Sequence, residues 1–398
     1  MTLTDQTRFL SHLARWFWPL FVVVGGSIIL SIAVAQVAAI LLMLLMLVKV
    51  VVAKPYVFRR TSFDIAYIAF VGARIISVFF SVDVETSLES FSKEIVYYGV
   101  FYAVTQEFPA GDLHRLRIFL WVLIGAGIIG ALYGSILYLS GHIDRATSTT
   151  SGPVTLGLYL TALMPFVLVL GRHREFAPKR WMWIAALGIL AVGIICTLNR
   201  IHWSLLVLML TLFGFLRDRR LLAFLAVGAI LALLSPPIAY RISASATSVR
   251  EFMNDRNIIW GGAADRAIDR PLTGFGPRTF HHVFPNHEEL RDQGVGSWHN
   301  DYLQIYMESG LIALVPFLWL MVLVFREGIK TWKKTVKNSF DRDFVLALLF
   351  SMGVFYISGL VGGFVIDPLN SLLHRFMLGL LGLMSAGLFR WKSGGMSA

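Results

Sequence analysis

The chain is a succession of uninterrupted apolar blocks separated by short polar segments, each block near the roughly 20 residues that an apolar helix needs to cross a membrane. Only helices and closed barrels satisfy backbone polar groups in lipid, and these blocks lack the period-two alternation of barrel strands. The pattern therefore predicts an all-α polytopic membrane protein. We expect about twelve transmembrane helices, over residues 16–33, 35–53, 63–81, 92–106, 117–139, 153–171, 181–199, 201–216, 221–239, 302–325, 343–365 and 370–389.

The first apolar block follows Arg8 and Arg15 and runs almost directly into the second. This arrangement predicts a start-transfer helix that stays in the protein rather than a cleaved signal peptide. We divide the chain into residues 1–239 with nine transmembrane helices, a loop over 240–301, and residues 302–398 with three more helices and a tail.

Composition and charge agree with this topology. Hydrophobic residues make up 57% of the chain and charged residues 15%, against about 25% in a typical soluble domain, and mean hydropathy is +0.70. Most of the 35 lysines and arginines fall in alternate connecting segments, which the positive-inside rule assigns to the cytoplasm together with both termini. The net charge of +11 thus reflects membrane insertion and needs no nucleic-acid partner. A single cysteine, Cys196, excludes an intrachain disulfide framework.

The loop over 240–301 falls on the other side, away from the cytoplasm. It contains no lysine but seven arginines: Arg241, Arg250, Arg256, Arg266, Arg270, Arg278 and Arg291. Arginine suits planar, bidentate recognition of phosphate and carboxylate, so this composition favours an anion-binding surface. Alternatively, these arginines pair with the acidic residues of the same loop.

Two segments of this loop have a readable local structure. Residues 254–267 show helical spacing, which places Arg256 and Trp260 one turn apart on the same face. Residues 271–277 are rich in glycine and proline and predict a tight turn whose glycines permit close backbone approach.

His299 lies just before the tenth predicted span, where Ser297 or Asn300 is the expected N-cap. The positive end of the helix dipole disfavours a charged imidazole, and a neutral histidine can accept a proton as a general base. The alternative is an interfacial histidine that hydrogen-bonds to nearby backbone.

Three further cations lie close to the same membrane surface. Arg200 occupies a very short outer turn, Arg74 falls inside the third predicted span, and Lys93 stands at the start of the fourth. Charges at such depths are functional candidates, although snorkelling or pairing with Glu94 also accounts for Arg74 and Lys93. Together these cations predict a site for an anion at the outer leaflet.

Aromatic and metal-binding side chains are less distinctive. The outer-facing tryptophans are suited either to stacking on sugars or to the aromatic belt of a membrane protein; they are Trp203, Trp260 and Trp298. The loop histidines lack the cysteine or carboxylate partners of a zinc site, so we expect no metal and no other cofactor; they are His281, His282 and His287.

Several short motifs occur in a recognisable order. They are Arg256-x3-Trp260-x2-Ala263, Pro271-x2-Gly274-x-Gly276, and His299-Asn300-x-Tyr302-Leu303-Gln304 through Glu308-x-Gly310, with Asn199-Arg200 and Gly152-Pro153 through Gly157 upstream. In this order and spacing the chain resembles the O-antigen ligase/polymerase superfamily. The predicted layout, with one large loop between the ninth and tenth spans, is similar to that of lipopolysaccharide O-antigen ligases. Asn199, Ile201 and the pair Pro277-Arg278 depart from the pattern.

The resemblance implies a membrane-embedded, GT-C-like glycosyltransferase of the bacterial inner membrane with a periplasmic active site. The donor would be a polysaccharide on undecaprenyl pyrophosphate, and the acceptor a hydroxyl of the lipid A–core oligosaccharide. Arg200 and Arg256 would stabilise the leaving pyrophosphate and His299 would be the general base of an inverting, metal-independent displacement. Further substrate contacts are expected from Arg74, Arg278, Trp260, Trp298, Asn300 and Lys93.

Three other functions remain open. An O-antigen polymerase uses the same donor with a growing chain as acceptor, and a protein O-oligosaccharyltransferase uses a protein acceptor. A transporter of lipid-linked glycans belongs to a different class and would be expected to show internal repeats and polar, interrupted helices at the membrane midplane. No convincing repeat is evident, and the polar residues gather at one face.

Overall fold

A computed structural model describes residues 3–109, 111–174, 176–177, 179–216, 218–236, 238–240, 243, 253, 256–285 and 295–388. Regular structure in these residues is helical, and we label the helices α1 to α14. Before the large loop they are α1 Leu3–Ser27, α2 Ile32–Val52, α3 Asp64–Phe79, α4 Val84–Glu107, α5 Leu113–Leu139, α6 Pro153–Leu170, α7 Arg180–Cys196, α8 Arg200–Leu216 and α9 Arg220–Leu233. In and after it they are α10 Arg256–Arg266, α11 Phe280–Val283, α12 Asp301–Lys334, α13 Phe340–Ser358 and α14 Pro368–Ser385.

Each predicted transmembrane segment coincides with a helix, and the all-helical class is confirmed for the described residues. Among those residues, four helices are long and apolar enough by themselves to cross a membrane: α2, α5, α6 and α12. Three others are apolar but shorter, namely α7, α8 and α9. The count of twelve crossings stays a prediction, as do the inner membrane and the orientation of the termini.

Some helices extend beyond the apolar blocks because capping decides where a helix begins. Asp83 caps α4 by accepting a hydrogen bond from Thr86 N at 3.0 Å, so this helix begins well before the predicted start at residue 92. Hydropathy detects only the apolar part of a helix, so it does not predict a first turn that is made of polar residues.

The centre of the bundle is packed with aromatic and aliphatic side chains. Helix α6 packs against α13, α3 against α12, and α4 against α14. At the junction of α1, α5 and α14, the rings of Phe119 and Phe376 stack at 4.3 Å between centroids, and Phe21 and Phe108 meet them edge-on. Nearly every side chain of α6 and α14 is buried, which identifies these helices as the core.

Large apolar side chains cover the outside of the bundle. On α2 they include Val37, Leu44 and Leu47, and on α9 they include Val227 and Ile230. Exposed apolar area on this scale is not stable in water, so the outer surface fits a lipid environment.

Helix α12 is broken at Gly310, which has φ 61° and ψ −164°. The break frees backbone groups that the turn over 271–276 satisfies. Phe275 N donates to Met307 O and Gly276 N to Glu308 O, each at 2.8 Å, while Leu311 N donates to Pro271 O at 2.9 Å. The predicted close backbone approach of the two glycines is therefore made to this broken helix.

The large loop has a small apolar core of its own at the end of the bundle. Ile259 of α10, Phe280 of α11 and Phe284 pack around Trp298, which is 1% exposed. This core fixes α10 beside the start of α12 and so positions the two loop segments that carry Arg256 and His299.

Candidate active site

Arg200 and Arg256 line the same cleft, which has a volume of about 290 Å³ at the end of the bundle that carries the large loop. Arg145, from the loop between α5 and α6, lines it as well. None of the described lining residues is acidic, and the rest of the wall is mostly apolar, with Val154, Met253, Val361 and the ring of Trp260. The cleft is therefore a cationic recess with an aliphatic side.

Arg256 is held in place by backbone carbonyl groups. Its Nη2 donates to Val361 O at 2.5 Å and its Nη1 to Met253 O at 3.2 Å, while its buried Nε has no hydrogen-bond partner among the described residues. Burial and the neighbouring charge of Arg200 both lower the pKa of Arg256. Two cations that repel each other in a partly dry cleft favour an anion between them.

Arg200 and Arg145 converge through the turn between α7 and α8. Arg200 is the first residue of α8, where Leu198 with φ 52° reverses the chain. Arg145 Nε donates to Thr197 O in this turn at 2.9 Å, and Ala146 N donates to Cys196 O at the same distance. Arg145 was not among the predicted site residues.

His299 is close enough to Arg256 to be affected by its charge, but it is not among the residues that line the cleft. Burial and the nearby guanidinium of Arg256 lower the pKa of His299 to about 4, so the imidazole is neutral at pH 7. No hydrogen bond to its ring occurs among the residues that the structure describes, which disfavours the alternative of a histidine bound to nearby backbone. His299 precedes the N-cap and does not lie in the helix, and it has φ 49°.

The segment between α13 and α14, residues 359–367, joins these groups. Val361 O of this segment accepts a hydrogen bond from Arg256. Leu360 O accepts another from Asn300 Nδ2 at 3.0 Å. Asp301 accepts from Phe364 N and Val365 N at 2.9 and 3.2 Å. Asp301 and this segment carried no predicted role, although Gly359, Gly362 and Gly363 mark a turn beside the site.

Arg74 belongs to a separate, buried ion network. Its guanidinium is fully buried, with Nη2 at 2.8 Å from Glu94 and Nη1 at 2.6 Å from Glu308. Glu308 also accepts from Gln304 Nε2 at 2.5 Å. Pairing with Glu94 was one of the two explanations that the sequence allowed for this arginine. In this arrangement Arg74 links α3, α4 and α12.

Arg278 lies at the edge of that network. Its backbone N donates to Glu308 at 2.7 Å, its Nη2 to Ile366 O at 2.5 Å, and its Nε is 3.8 Å from Glu94. It adopts φ 62°, a region that residues other than glycine seldom occupy. Its side chain is 35% exposed and remains accessible to a ligand.

Other predicted substrate contacts are placed differently. Lys93 is exposed and pairs with Glu89 at 2.7 Å, and it does not pair with Glu94. Trp298 is buried against Phe280 and offers no face to a sugar. Asn300 is the N-cap of α12, because its Oδ1 accepts from Tyr302 N and Leu303 N at 3.0 Å.

Two tryptophans stay near the cleft or its rim. Trp260 lines the cleft, with Nε1 donating to Trp298 O at 3.0 Å, and it shares the cleft with Arg256 as the helical spacing predicted. Trp203 is half-buried on α8, where its Nε1 donates to Ile195 O at 3.1 Å. Trp260 is thus the tryptophan best placed to meet a sugar.

Pairing between the loop arginines and loop acids is limited. Of the described arginines, Arg266 pairs with Asp269 at 3.4 Å, whereas Arg270 donates to Phe80 O at 2.8 Å. Several residues of the loop lie outside the described residues: Arg241, Arg250, Arg291, His287 and the first two positions of the segment 254–267. His282 Nε2 is 3.3 Å from Asp83, and no group of three metal-binding side chains occurs among the described residues. Metal independence stays a prediction.

Arg375 is a buried cation that the sequence interpretation missed. It is 1% exposed on α14, lies 2.6 Å from His374, and covers the ring of Tyr98 at 5.2 Å. An arginine inside the last predicted span was a visible signal under the rule already applied to Arg74.

Comparison with known proteins gives a family match for part of the chain. Residues 185–318 match the family model described as O-antigen ligase. The match extends from α7 past the break in α12 and includes Arg200, Arg256 and His299. No curated protein matches the chain.

Proposed function

Because the chain belongs to the O-antigen ligase/polymerase superfamily, we propose that it transfers a polysaccharide from undecaprenyl pyrophosphate to a hydroxyl of the lipid A–core oligosaccharide. The observation that carries this proposal is the cleft lined by Arg145, Arg200 and Arg256, with His299 within electrostatic reach of Arg256. The reaction takes place at the periplasmic surface of the inner membrane, the side opposite to the basic connecting loops.

The cleft suits the donor at both of its chemical parts. The guanidinium groups bind the diphosphate, and the aliphatic wall with Val154 and Met253 accommodates the first units of the prenyl chain. As the glycosidic bond breaks, negative charge grows on the diphosphate, and cations already in position stabilise that charge more than they stabilise the bound donor. Arginines supply the positive charge that a metal ion supplies in other glycosyl transfers.

His299 acts as the base in a single displacement. The acceptor oxygen attacks the anomeric carbon, its proton passes to the neutral ring of His299, and the diphosphate leaves with the electron pair of the broken bond. A positioned base contributes roughly 10²- to 10⁴-fold. The configuration at the anomeric carbon is inverted.

The donor adjusts the strength of this base. A pKa near 4 makes His299 neutral but weakly basic at pH 7. A diphosphate bound at Arg256 offsets one of the two causes of the low pKa, so the pKa of His299 rises when the donor binds. The imidazole therefore becomes a stronger base only when the leaving group is in place.

Transfer by the purified protein to a panel of acceptors tests the proposal. The donor is a purified undecaprenyl-pyrophosphate glycan, and the acceptors are lipid A–core, a growing lipid-linked glycan and an acceptor peptide. We expect product on lipid A–core alone, undiminished in excess EDTA. The variant with Arg200→Gln and Arg256→Gln serves as the donor-site control and should yield no product.

The other possible results of this experiment would identify a different function or contradict the mechanism. Elongation of the lipid-linked glycan identifies a polymerase, and product on the peptide identifies a protein O-oligosaccharyltransferase. Movement of the donor across the membrane without any product identifies a transporter. Loss of activity in EDTA that a divalent ion restores contradicts the metal-independent mechanism.

A further inference from the structure

A second, larger cavity lies at the other end of the bundle. It has a volume of about 730 Å³ and lies where α6 and α8 end and α7 and α9 begin. Helix α7 spans 17 residues from Arg180 at this cavity to Cys196 near the candidate active site. At about 1.5 Å per residue the two regions are roughly 25 Å apart, so the cavity is separate from the cleft of Arg200 and Arg256.

The mouth of the cavity is cationic. Arg172, Arg174 and Arg180 line it together with one acid, Asp218. Within the part of the chain that the structure describes, none of these three guanidinium groups pairs with a carboxylate, and Asp218 accepts from the backbone N of Arg220 at 3.0 Å. Unpaired arginines around one recess favour a phosphate group, because the guanidinium binds two phosphate oxygens at once.

The wall of the cavity is apolar. Trp183, Ile184 and Leu187 of α7 line it, with Phe213 of α8 and Leu221 of α9. A free inorganic anion would gain nothing from this surface. An amphiphile with a phosphate head and a hydrocarbon tail satisfies both parts of the cavity.

We propose that this cavity binds an anionic phospholipid of the leaflet opposite the candidate active site. The phosphate lies among Arg172, Arg174 and Arg180, and one acyl chain follows the wall formed by Ile184 and Leu187. Basic pockets between transmembrane helices on the cytoplasmic side are suited to such headgroups. The bound lipid joins α6, α7, α8 and α9 at the end remote from Arg200.

Basic residues in short cytoplasmic loops are ordinary, since they orient a membrane protein. A control variant is therefore needed in which the same amount of positive charge is removed from another site at the same end of the helix bundle. Lys54, Arg59 and Arg60 are exposed in the segment between α2 and α3 and do not line the cavity. Their replacement by glutamine matches the loss of charge without touching the recess.

Native mass spectrometry of the full-length protein in detergent tests the proposal. The probes are phosphatidylglycerol, phosphatidylcholine and inorganic phosphate, each titrated against the wild type. We expect phosphatidylglycerol to be retained at least about tenfold more strongly than phosphatidylcholine. The variant Arg172→Gln/Arg174→Gln/Arg180→Gln should lose this preference, whereas Lys54→Gln/Arg59→Gln/Arg60→Gln should keep it.

A fourth variant tests the tail independently of charge. Ile184→Trp narrows the apolar wall at a position that is 59% exposed, and it should lower phosphatidylglycerol retention with all three arginines intact. Equal retention of the two lipids by the wild type would overturn the proposal, as would equal loss in the control variant. Retention of inorganic phosphate as strong as that of the lipid would exclude the acyl-chain site.

Discussion

His299 and Arg256 are coupled by charge, and this coupling decides what each can do. The guanidinium of Arg256 keeps the neighbouring imidazole neutral, and Arg200 lowers the pKa of Arg256 in turn. The lining residues that the structure describes include three arginines and no acid. In the proposed mechanism, a diphosphate bound at Arg256 would reduce this repulsion and raise the pKa of His299 in the same step.

Arg256→Gln should raise the pKa of His299 from about 4 towards its ordinary value near 6.5. The sign follows because the positive charge of Arg256 disfavours the protonated ring, and burial, the first cause of the low pKa, remains. The measurement is the pH dependence of diethyl pyrocarbonate labelling at His299, followed by mass spectrometry. Arg266→Gln, in the same helix but paired with Asp269, is the control and should leave the titration unchanged. An unchanged titration in Arg256→Gln would contradict the coupling.

Arg74→Met should destabilise the protein by about 3–5 kcal/mol, because it leaves two buried carboxylates, Glu94 and Glu308, without their cation. Thermal unfolding in detergent measures the loss, and Glu308→Gln in the Arg74→Met background should recover part of it. Lys93→Gln removes an exposed pair with Glu89 and should leave the unfolding temperature close to that of the wild type. Equal stability of Arg74→Met and the wild type would argue for a substrate contact instead.

The sequence predicted the features that depend on short spacing along a helix or on the free-energy cost of placing a charge in lipid. Arg256 and Trp260 share a face because they are one helical turn apart, and Arg200 in a short turn had to lie near the surface. The sequence did not indicate that Trp298 packs against Phe280 inside the loop, since only the folded loop brings the two rings together. The second partner of Arg74, Glu308, is 234 positions away, and no local pattern encodes that pairing.

Among the elements, the broken helix α12 has the greatest consequence for the site. The break at Gly310 lets the turn over 271–276 bond to both halves of the helix, which fixes the loop that follows. Glu308, two residues before the break, accepts hydrogen bonds from both Arg74 and the backbone of Arg278. The element thus links the membrane core to the loop that carries the site.

Gly310→Ala should unfold or strongly destabilise the protein, by at least about 3 kcal/mol. The residue has φ 61° and ψ −164°, a region essentially restricted to glycine, and an added Cβ would meet Leu272 O at 2.1 Å. Gly353→Ala is the matched control, since a Cβ in that helix meets nothing within 4 Å. Unfolding temperatures of the two variants in detergent provide the comparison. A Gly310→Ala protein as stable as the control would show that the break is not required.

Helix number and order follow from hydrophobic blocks, whereas helix ends follow from caps and breaks. The blocks located a helix at every predicted span. They did not reveal that Asp83 caps the start of α4 or that α12 is interrupted, because both features depend on hydrogen bonds rather than on hydropathy. The role of residues 359–367 was missed for the same reason.

Across the whole molecule, the arginine-lined cleft and the larger cavity lie at opposite ends of the same helices. This polarity matches the predicted topology, in which the large loop is periplasmic and the basic connections are cytoplasmic. A lipid-linked substrate would enter the cleft from the outer leaflet, and the cavity would face the inner leaflet.

Labelling of introduced cysteines in intact cells tests the orientation. In a Cys196→Ser background, Leu272→Cys in the large loop should react with a membrane-impermeant maleimide once the outer membrane is opened. Val336→Cys, between α12 and α13, should react only after the inner membrane is permeabilised. Both native side chains are well exposed, at 61% and 76%. The reverse pattern would invert the topology and place the cleft in the cytoplasm.

The proposal that His299 and Arg256 carry out polysaccharide transfer can be tested with His299→Ala and Arg256→Ala proteins. The measurement is the rate of transfer to lipid A–core in reconstituted membranes. His282→Ala is the matched control, because His282 lies in the same loop but faces Asp83. Both site variants should fold and should transfer polysaccharide at least about 10²-fold more slowly than the wild type, while the control should keep the wild-type rate. Wild-type transfer by the two site variants would contradict the proposal.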